Sequence, residues 1–276
     1  MAKLNVIFGA SGQLGSSILK CLAQTDPAAL IKTLTWEEIG NLNTEALRKK
    51  LQSLGAFEGP CDFFFANGLT DPKISADRLM ESNLQFPQRV VAATRNHPES
   101  RFVTFGTIFE NFPEACKFNP YMRSKFELGK WMQTQAQNDP RFIHFRLHTL
   151  YGGKVAPHLF IGQMIQAIRS NSEFKMTRGD QIREYHHVDD IAFAVVKILE
   201  RQQLPPMIEL NSGNPLPLHQ IARAVFEAFG KSELLKVGAI ESPSGENTER
   251  AFPTSAQALL PRSREPIQNI IGWLRN

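Results

Sequence analysis

The sequence is poor in cysteine and tyrosine, with three of each among 276 residues. Cys21, Cys61 and Cys116 lie far apart and form no CxxC pair, which leaves no basis for a disulfide framework or a cysteine-based metal site. Long apolar runs are also missing. The longest candidate, residues 191–199, is interrupted by Lys197 and is too short to span a bilayer. Met1-Ala2-Lys3-Leu4 runs straight into a strand-like segment without the apolar core of a signal peptide. The expectation is a reduced, cytoplasmic protein with no membrane partner. Blocks of like charge are absent too. The 31 Lys and Arg against 27 Asp and Glu are scattered, so nucleic acid is not an expected partner, and the net charge of +4 suits a small anionic substrate. An apolar fraction of 42% is that of an ordinary globular protein and excludes disordered and fibrous classes.

What is present is an alternation of short apolar runs with helical periodicity. Residues 4–8 form a run expected for a buried parallel strand, and Leu14, Ile18 and Leu22 then recur at the spacing of one helix face. Further strand-like runs fall at 31–35, 61–66, 102–105 and 142–147, with helical patterns at 44–54, 76–94 and 125–137. This rhythm predicts an α/β protein, a Rossmann doubly wound parallel sheet with a smaller C-terminal α/β substrate-binding part. After Tyr151-Gly152-Gly153 the segments shorten and prolines concentrate, so residues 1–151 are expected to bind the dinucleotide and 152–276 the substrate. The helical pattern at 188–199 and the strand-like 207–210 are expected to return to the first part, and 242–247 to form an exposed loop.

Gly9-Ala10-Ser11-Gly12-Gln13-Leu14-Gly15 follows the first strand and opens the first helix. Glycines there allow a tight turn, close approach of backbone N–H groups to a pyrophosphate, and helix-on-strand packing. The helix N-terminus favours the phosphate charge. The second strand ends Leu34-Thr35-Trp36, with Glu37 beyond, where NAD-binding folds carry an acid for the ribose. The small Thr35 leaves room for a 2′-phosphate, with Lys32 or Arg48 as charge, so NADP is expected, and NAD is the alternative.

Tyr121 and Lys125 stand one helical turn apart and share a face. An ammonium beside a phenol, together with the positive ring of a nicotinamide, lowers its proton affinity from about 10 and turns it into an acid–base group for a carbonyl or an alcohol. Thr107, just past the strand at 102–105, is placed to hydrogen-bond the same substrate oxygen.

Together these residues resemble the extended short-chain dehydrogenase/reductase superfamily, the NAD-dependent epimerase/dehydratase family of nucleotide-sugar enzymes. Gly9–Gly15 is similar to its GxxGxxG, Asn41-Leu42-Asn43 to its adenine-side segment, and Ala66-Asn67-Gly68 to its nicotinamide-ribose loop. Asn83, the strand Arg101 to Thr107, Asn119-Pro120-Tyr121 through Lys125, and Arg146 to Gly152 also match. The resemblance implies cofactor contacts from Gly9, Ser11, Gly12, Gln13, Leu14, Gly15, Thr35, Asn41, Leu42, Ala66, Asn67, Gly68, Asn83, Phe105, Tyr121, Lys125 and Leu150. It implies catalysis by Thr107, Tyr121 and Lys125. Substrate contacts are expected from Thr107, His148, His158 and Arg183, the last through bidentate contacts to a diphosphate. It also implies a homodimer through the helices at 76–94 and 125–137.

Departures from the family pattern narrow the reaction. Ile108-Phe109 replaces the acidic residues that 4,6-dehydratases carry after the Ser/Thr, and no cysteine flanks Thr107 as in the reductase/3,5-epimerases. The short Thr107-to-Tyr121 interval resembles the 4-keto-sugar reductases of deoxysugar synthesis, including the dTDP-rhamnose and CDP-abequose types. A nucleotide-sugar 4-epimerase with tightly bound NAD is the alternative, and a non-catalytic NADP-binding regulator a second one.

Overall fold

The computed structural model describes residues 3–71, 73–242, 256–260 and 265–275. Beyond Ser242, the loop expected at 242–247 lies outside the described residues. Seven strands form one parallel sheet: β1 (Leu4–Phe8), β2 (Leu30–Leu34), β3 (Cys61–Phe65), β4 (Ser100–Thr107), β5 (Phe142–Leu147), β6 (Met207–Asn211) and β7 (Ala256–Leu259). Their spatial order is β2-β1-β3-β4-β5-β6-β7, and every neighbouring pair runs parallel. The path of the chain reverses at β1, with β2 on one side and β3 on the other. A crevice therefore opens beyond the carboxyl ends of the strands at that point.

Side-chain alternation divides the core. Ile7, Phe64, Val103 and Phe145 face helices α1 (Gln13–Thr25) and α6 (Val188–Leu199). Phe8, Phe63, Phe65, Phe102 and Phe142 face the opposite layer, built by α2 (Thr44–Ser53), α3 (Phe86–Thr94) and α4 (Pro120–Ala136). Ser17 Oγ donates to Asp189 Oδ1 at 2.7 Å and ties α1 to α6. A third cluster around Tyr151, Met164, Phe174 and Phe226 lies under α5 (Phe160–Ser170), α7 (Leu218–Ala228) and α8 (Pro266–Arg275). The run at 207–210 pairs as β6 with β5.

Three elements differ from expectation in ways that bear on function. β4 extends to Ser100–Thr107, so Thr107 is its last residue rather than a residue beyond it. α4 starts at Pro120 rather than at 125. Proline at the first helical position needs no hydrogen bond, and Asn119 Oδ1 accepts the Met122 N–H at 3.1 Å as the cap. Tyr121 and Lys125 thus occupy the first two turns of α4. The helical stretch at 76–94 contains a π turn, Glu81–Gln85, between Ala76–Met80 and α3.

Phe102 stacks on Phe63 at 5.8 Å and tilts against Phe142 at 4.9 Å, with no exposed surface. Phe102→Ala should destabilise the fold by about 3–5 kcal/mol, read as a lower denaturation midpoint with an unchanged slope.

Candidate active site

The turn after β1 is shaped by contact. Gly9 has φ +82°, and a Cβ there would lie 2.5 Å from Asn67 Cα and 2.7 Å from the Ala66 oxygen. A Cβ on Gly15 would run into the Gly9 carbonyl oxygen, so the helix could not seat on the strand. Gly12 stands at the N-cap of α1. Among the described residues no side chain caps the helix start, and no acidic residue in its first turn offsets the positive end of the helix dipole. That cradle fits a dinucleotide pyrophosphate.

Beside the turn lies a cleft of about 470 Å³. Its lining brings together Gly12, Gln13, Leu14, Ala66, Gly68, Phe105, Leu150, Thr107, Tyr121, Lys125 and His148 from the expected set. Gln13 Nε2 donates to the Gly152 oxygen at 2.7 Å and joins the turn to the segment past β5.

The chemistry concentrates at the carboxyl end of β4. Thr107 Oγ1 accepts the Phe109 N–H at 3.3 Å, which leaves its own proton for a further partner. Lys125 Nζ donates to the Phe105 oxygen at 2.8 Å and sits 2.6 Å from where a Gly68 Cβ would be. Burial lowers the Lys125 ammonium to about 8, against an opposing pull from Glu110. The chain's own groups act on Tyr121 in the opposite sense to a neighbouring cation. Burial, reinforced by the Glu110 charge, raises the phenol above its ordinary range, so it keeps its proton at neutral pH.

His148 is tied to β6. Its Nε2 lies 3.2 Å from Asn211 Oδ1, and its ring meets the His186 ring edge-on at 5.2 Å. Burial and then His186 push it down to about 4, so the imidazole facing the cleft is neutral at neutral pH. Arg183 lines a small adjoining hollow with Ile108, Phe109 and His148, and its guanidinium lies 4.7 Å over the Phe109 ring. His158 is outside the cleft lining, with Nε2 3.4 Å from the Thr70 hydroxyl on the rim.

Several expected cofactor residues shape the loops instead of lining the cleft. Asn83 accepts the Leu69 N–H at 2.9 Å and donates to the Leu69 oxygen and to Ser124 Oγ. Asn67 donates to the Ser82 oxygen. Ser11 and Asn41 are exposed, and Leu42 packs on the core. Thr35 caps a one-turn helix, Trp36–Ile39, and its N–H is taken by Glu38 Oε2 at 2.8 Å.

Sequence reasoning missed Glu110, Ser124 and Glu184. Glu110 was findable: Thr107-Ile108-Phe109-Glu110 is a capping-box pattern, and both of its hydrogen bonds form. Glu184, which accepts from Ser212 N and Ser212 Oγ at 2.8 and 2.9 Å, gives no such local signal.

Residues 5–211 match the family model described as the NAD dependent epimerase/dehydratase family. The chain is 30% identical over 267 residues to a CDP-abequose synthase of Salmonella typhimurium, covering 87% of this chain and 86% of that one. A CDP-abequose synthase of Salmonella muenchen is 23% identical over 179 residues, which is 63% of this chain and 61% of that protein. Among solved structures, the UDP-glucose 4-epimerase of Thermus thermophilus in complex with NAD superposes with a TM-score of 0.75 over 99% of both chains, at 17% identity.

His148 titrates at about 4 in the fold and from a reference of 6.5. Its contribution to stability is therefore present above pH 6.5 and is lost as the pH falls towards 4. His148→Gln should lose less stability than the parent between pH 6.5 and 4, measured by urea unfolding across that window. An equal loss in both proteins would refute the assignment.

Proposed function

The chain belongs to the NAD dependent epimerase/dehydratase family of nucleotide-sugar-modifying enzymes, and within it we propose a reductase that acts on the keto group of a 4-keto-sugar nucleotide. One observation carries this reading. Thr107, Tyr121 and Lys125 line one cleft beside the glycine turn, and no carboxylate or cysteine is among the described residues lining it. Dehydration and 3,5-epimerisation each need such a group to move a proton from carbon. Reduction needs only hydride and one proton for oxygen.

A dinucleotide held at the glycine turn would supply the hydride. Thr107 donates its free hydroxyl proton as a hydrogen bond to the keto oxygen, and Tyr121 transfers a proton to that oxygen. A phenol that holds its proton at neutral pH suits donation better than abstraction. Lys125, at about 8, exchanges its proton near the working pH and stabilises the charge left on Tyr121. Arg183, beside the cleft, is assigned to the substrate diphosphate, and His148 to a sugar hydroxyl. The two Salmonella relatives are named for a CDP-linked sugar, so a CDP-linked 4-keto-deoxyhexose is the first substrate to test. Exposed Thr35, with its small side chain, supports NADPH as the hydride donor.

A second reading has its own observation. Glu38 places a carboxylate against the Thr35 N–H at the end of β2, where negative charge repels a 2′-phosphate. That supports NAD, and with it a 4-epimerase that retains its cofactor.

With NADPH and a CDP-linked 4-keto-6-deoxyhexose, the protein should oxidise NADPH, followed by loss of absorbance. Tyr121→Phe should lower kcat by roughly 10²- to 10⁴-fold with KM little changed. Absence of NADPH consumption, together with one tightly retained NAD per chain, would favour the epimerase.

A further inference from the structure

Behind the cleft, on the side away from solvent, lies a buried charged network that the proposed reaction does not use. Glu110 is at its centre, and its side chain is 1% exposed. Oε1 accepts the Thr107 N–H at 2.8 Å, Oε2 accepts from Arg146 Nε at 2.9 Å, and His144 Nε2 lies 3.1 Å from Oε2. His144 is anchored in turn by Thr104 Oγ1, 2.7 Å from its Nδ1. Arg146 Nη1 also donates to Glu209 Oε1 and to Asn111 Oδ1.

The surrounding chain is cut away to admit this carboxylate. A Cβ on Gly106 would overlap Glu110 Oε1, and a Cβ on Gly129 would overlap Oε2. Gly129 follows Tyr121 and Lys125 at helical spacing on α4, so the helix presents two reactive side chains and then a gap on one face. A glycine inside a helix costs stability relative to alanine. A buried ionic cluster is likewise no better for stability than apolar packing of the same volume. Two such costs at one carboxylate point to a role other than holding the fold.

We propose that Glu110 is a positioning residue of this site, a buried carboxylate that holds the Thr107 backbone at the strand end and sets its negative charge against the face of α4 that carries Tyr121, Lys125 and Gly129, without itself lining the cleft. The role rests on the reading of Thr107, Tyr121 and Lys125 as the reacting groups. The groups facing the carboxylate are His144 and Arg146 from β5, Tyr121 and Lys125 from α4, and Cys116 from the helix Pro113–Phe118, with Glu209 of β6 beyond Arg146. The Glu110 charge raises both Tyr121 and Lys125. Removing it lowers both.

Glu110→Gln keeps an acceptor for the Thr107 N–H and deletes the charge. The direct readout needs no substrate: the pH titration of the Lys125 Cε resonance in protein labelled with [ε-¹³C]lysine, assigned with Lys125→Arg. The midpoint should fall by roughly one pH unit. The high-pH limb of the rate profile, measured with NADPH and a CDP-linked 4-keto-6-deoxyhexose, should move down in the same direction, with kcat affected more than KM. An unmoved Lys125 midpoint in a folded Glu110→Gln protein would overturn the proposal. A shifted midpoint in a protein that does not reduce the keto-sugar would support the Glu110 inference and count against the reductase reading alone. Should Glu110→Gln not fold, Gly129→Ala displaces the same carboxylate by its added methyl. It should move the Lys125 midpoint, and an unmoved one there would equally overturn the proposal.

Discussion

The parallel register of four adjacent strands is the constraint on which the rest depends. Phe8 pairs with Phe65, Phe65 with Thr104, and Thr107 with Leu147. β1, β3, β4 and β5 therefore end along one edge, with β4 reaching three residues further than β3. That overhang carries Thr107 out to the level of α4, where the Lys125 ammonium bonds the Phe105 carbonyl. Slipping β4 by one residue would turn Thr107 to the opposite face of the sheet and away from the cleft. The glycine turn, the hydroxyl, the phenol and the amine meet because the sheet forces them to.

Electrostatics then decides what the assembled groups can do. Burial drives the phenol and the ammonium each towards the neutral form, and the buried Glu110 carboxylate reinforces this for Tyr121 and opposes it for Lys125. The neutral His148 on the facing wall adds a hydrogen-bonding group without adding charge. Such a site is poised to give a proton to an oxygen. No carboxylate or cysteine is among the described residues lining it, which argues against dehydration and 3,5-epimerisation, whereas reduction and 4-epimerisation use the same hydroxyl, phenol and ammonium.

Much of this was legible in the chain. The strand–glycine–helix order at residues 4–22, the spacing of Tyr121 and Lys125, and the apolar alternation in β3 and β4 are local patterns with local physical causes, and they located the sheet and the cleft. The helix start at Pro120 was concealed because apolar periodicity begins only later, although Asn119-Pro120 is a start signal in its own right. Side-chain direction was harder. Asn83 has the right place for a cofactor contact, yet its amide is spent on Leu69 and Ser124 across the sequence. Glu110 shows its capping box with Thr107 in the sequence, but its bonds to His144 and Arg146, 34 and 36 residues away, and those of Glu184 to Ser212, 28 residues away, leave no mark in periodicity or composition.

The account's central claim is that hydride passes to the sugar and stays there, with Tyr121 providing the proton. The most direct measurement supplies NADPH deuterated at the transferring position with a CDP-linked 4-keto-6-deoxyhexose and analyses the product by mass spectrometry and NMR. One deuterium on C4 of the sugar for each NADP formed is the predicted result. Interconversion of sugar epimers with no deuterium gained and no net NADP formed would contradict it.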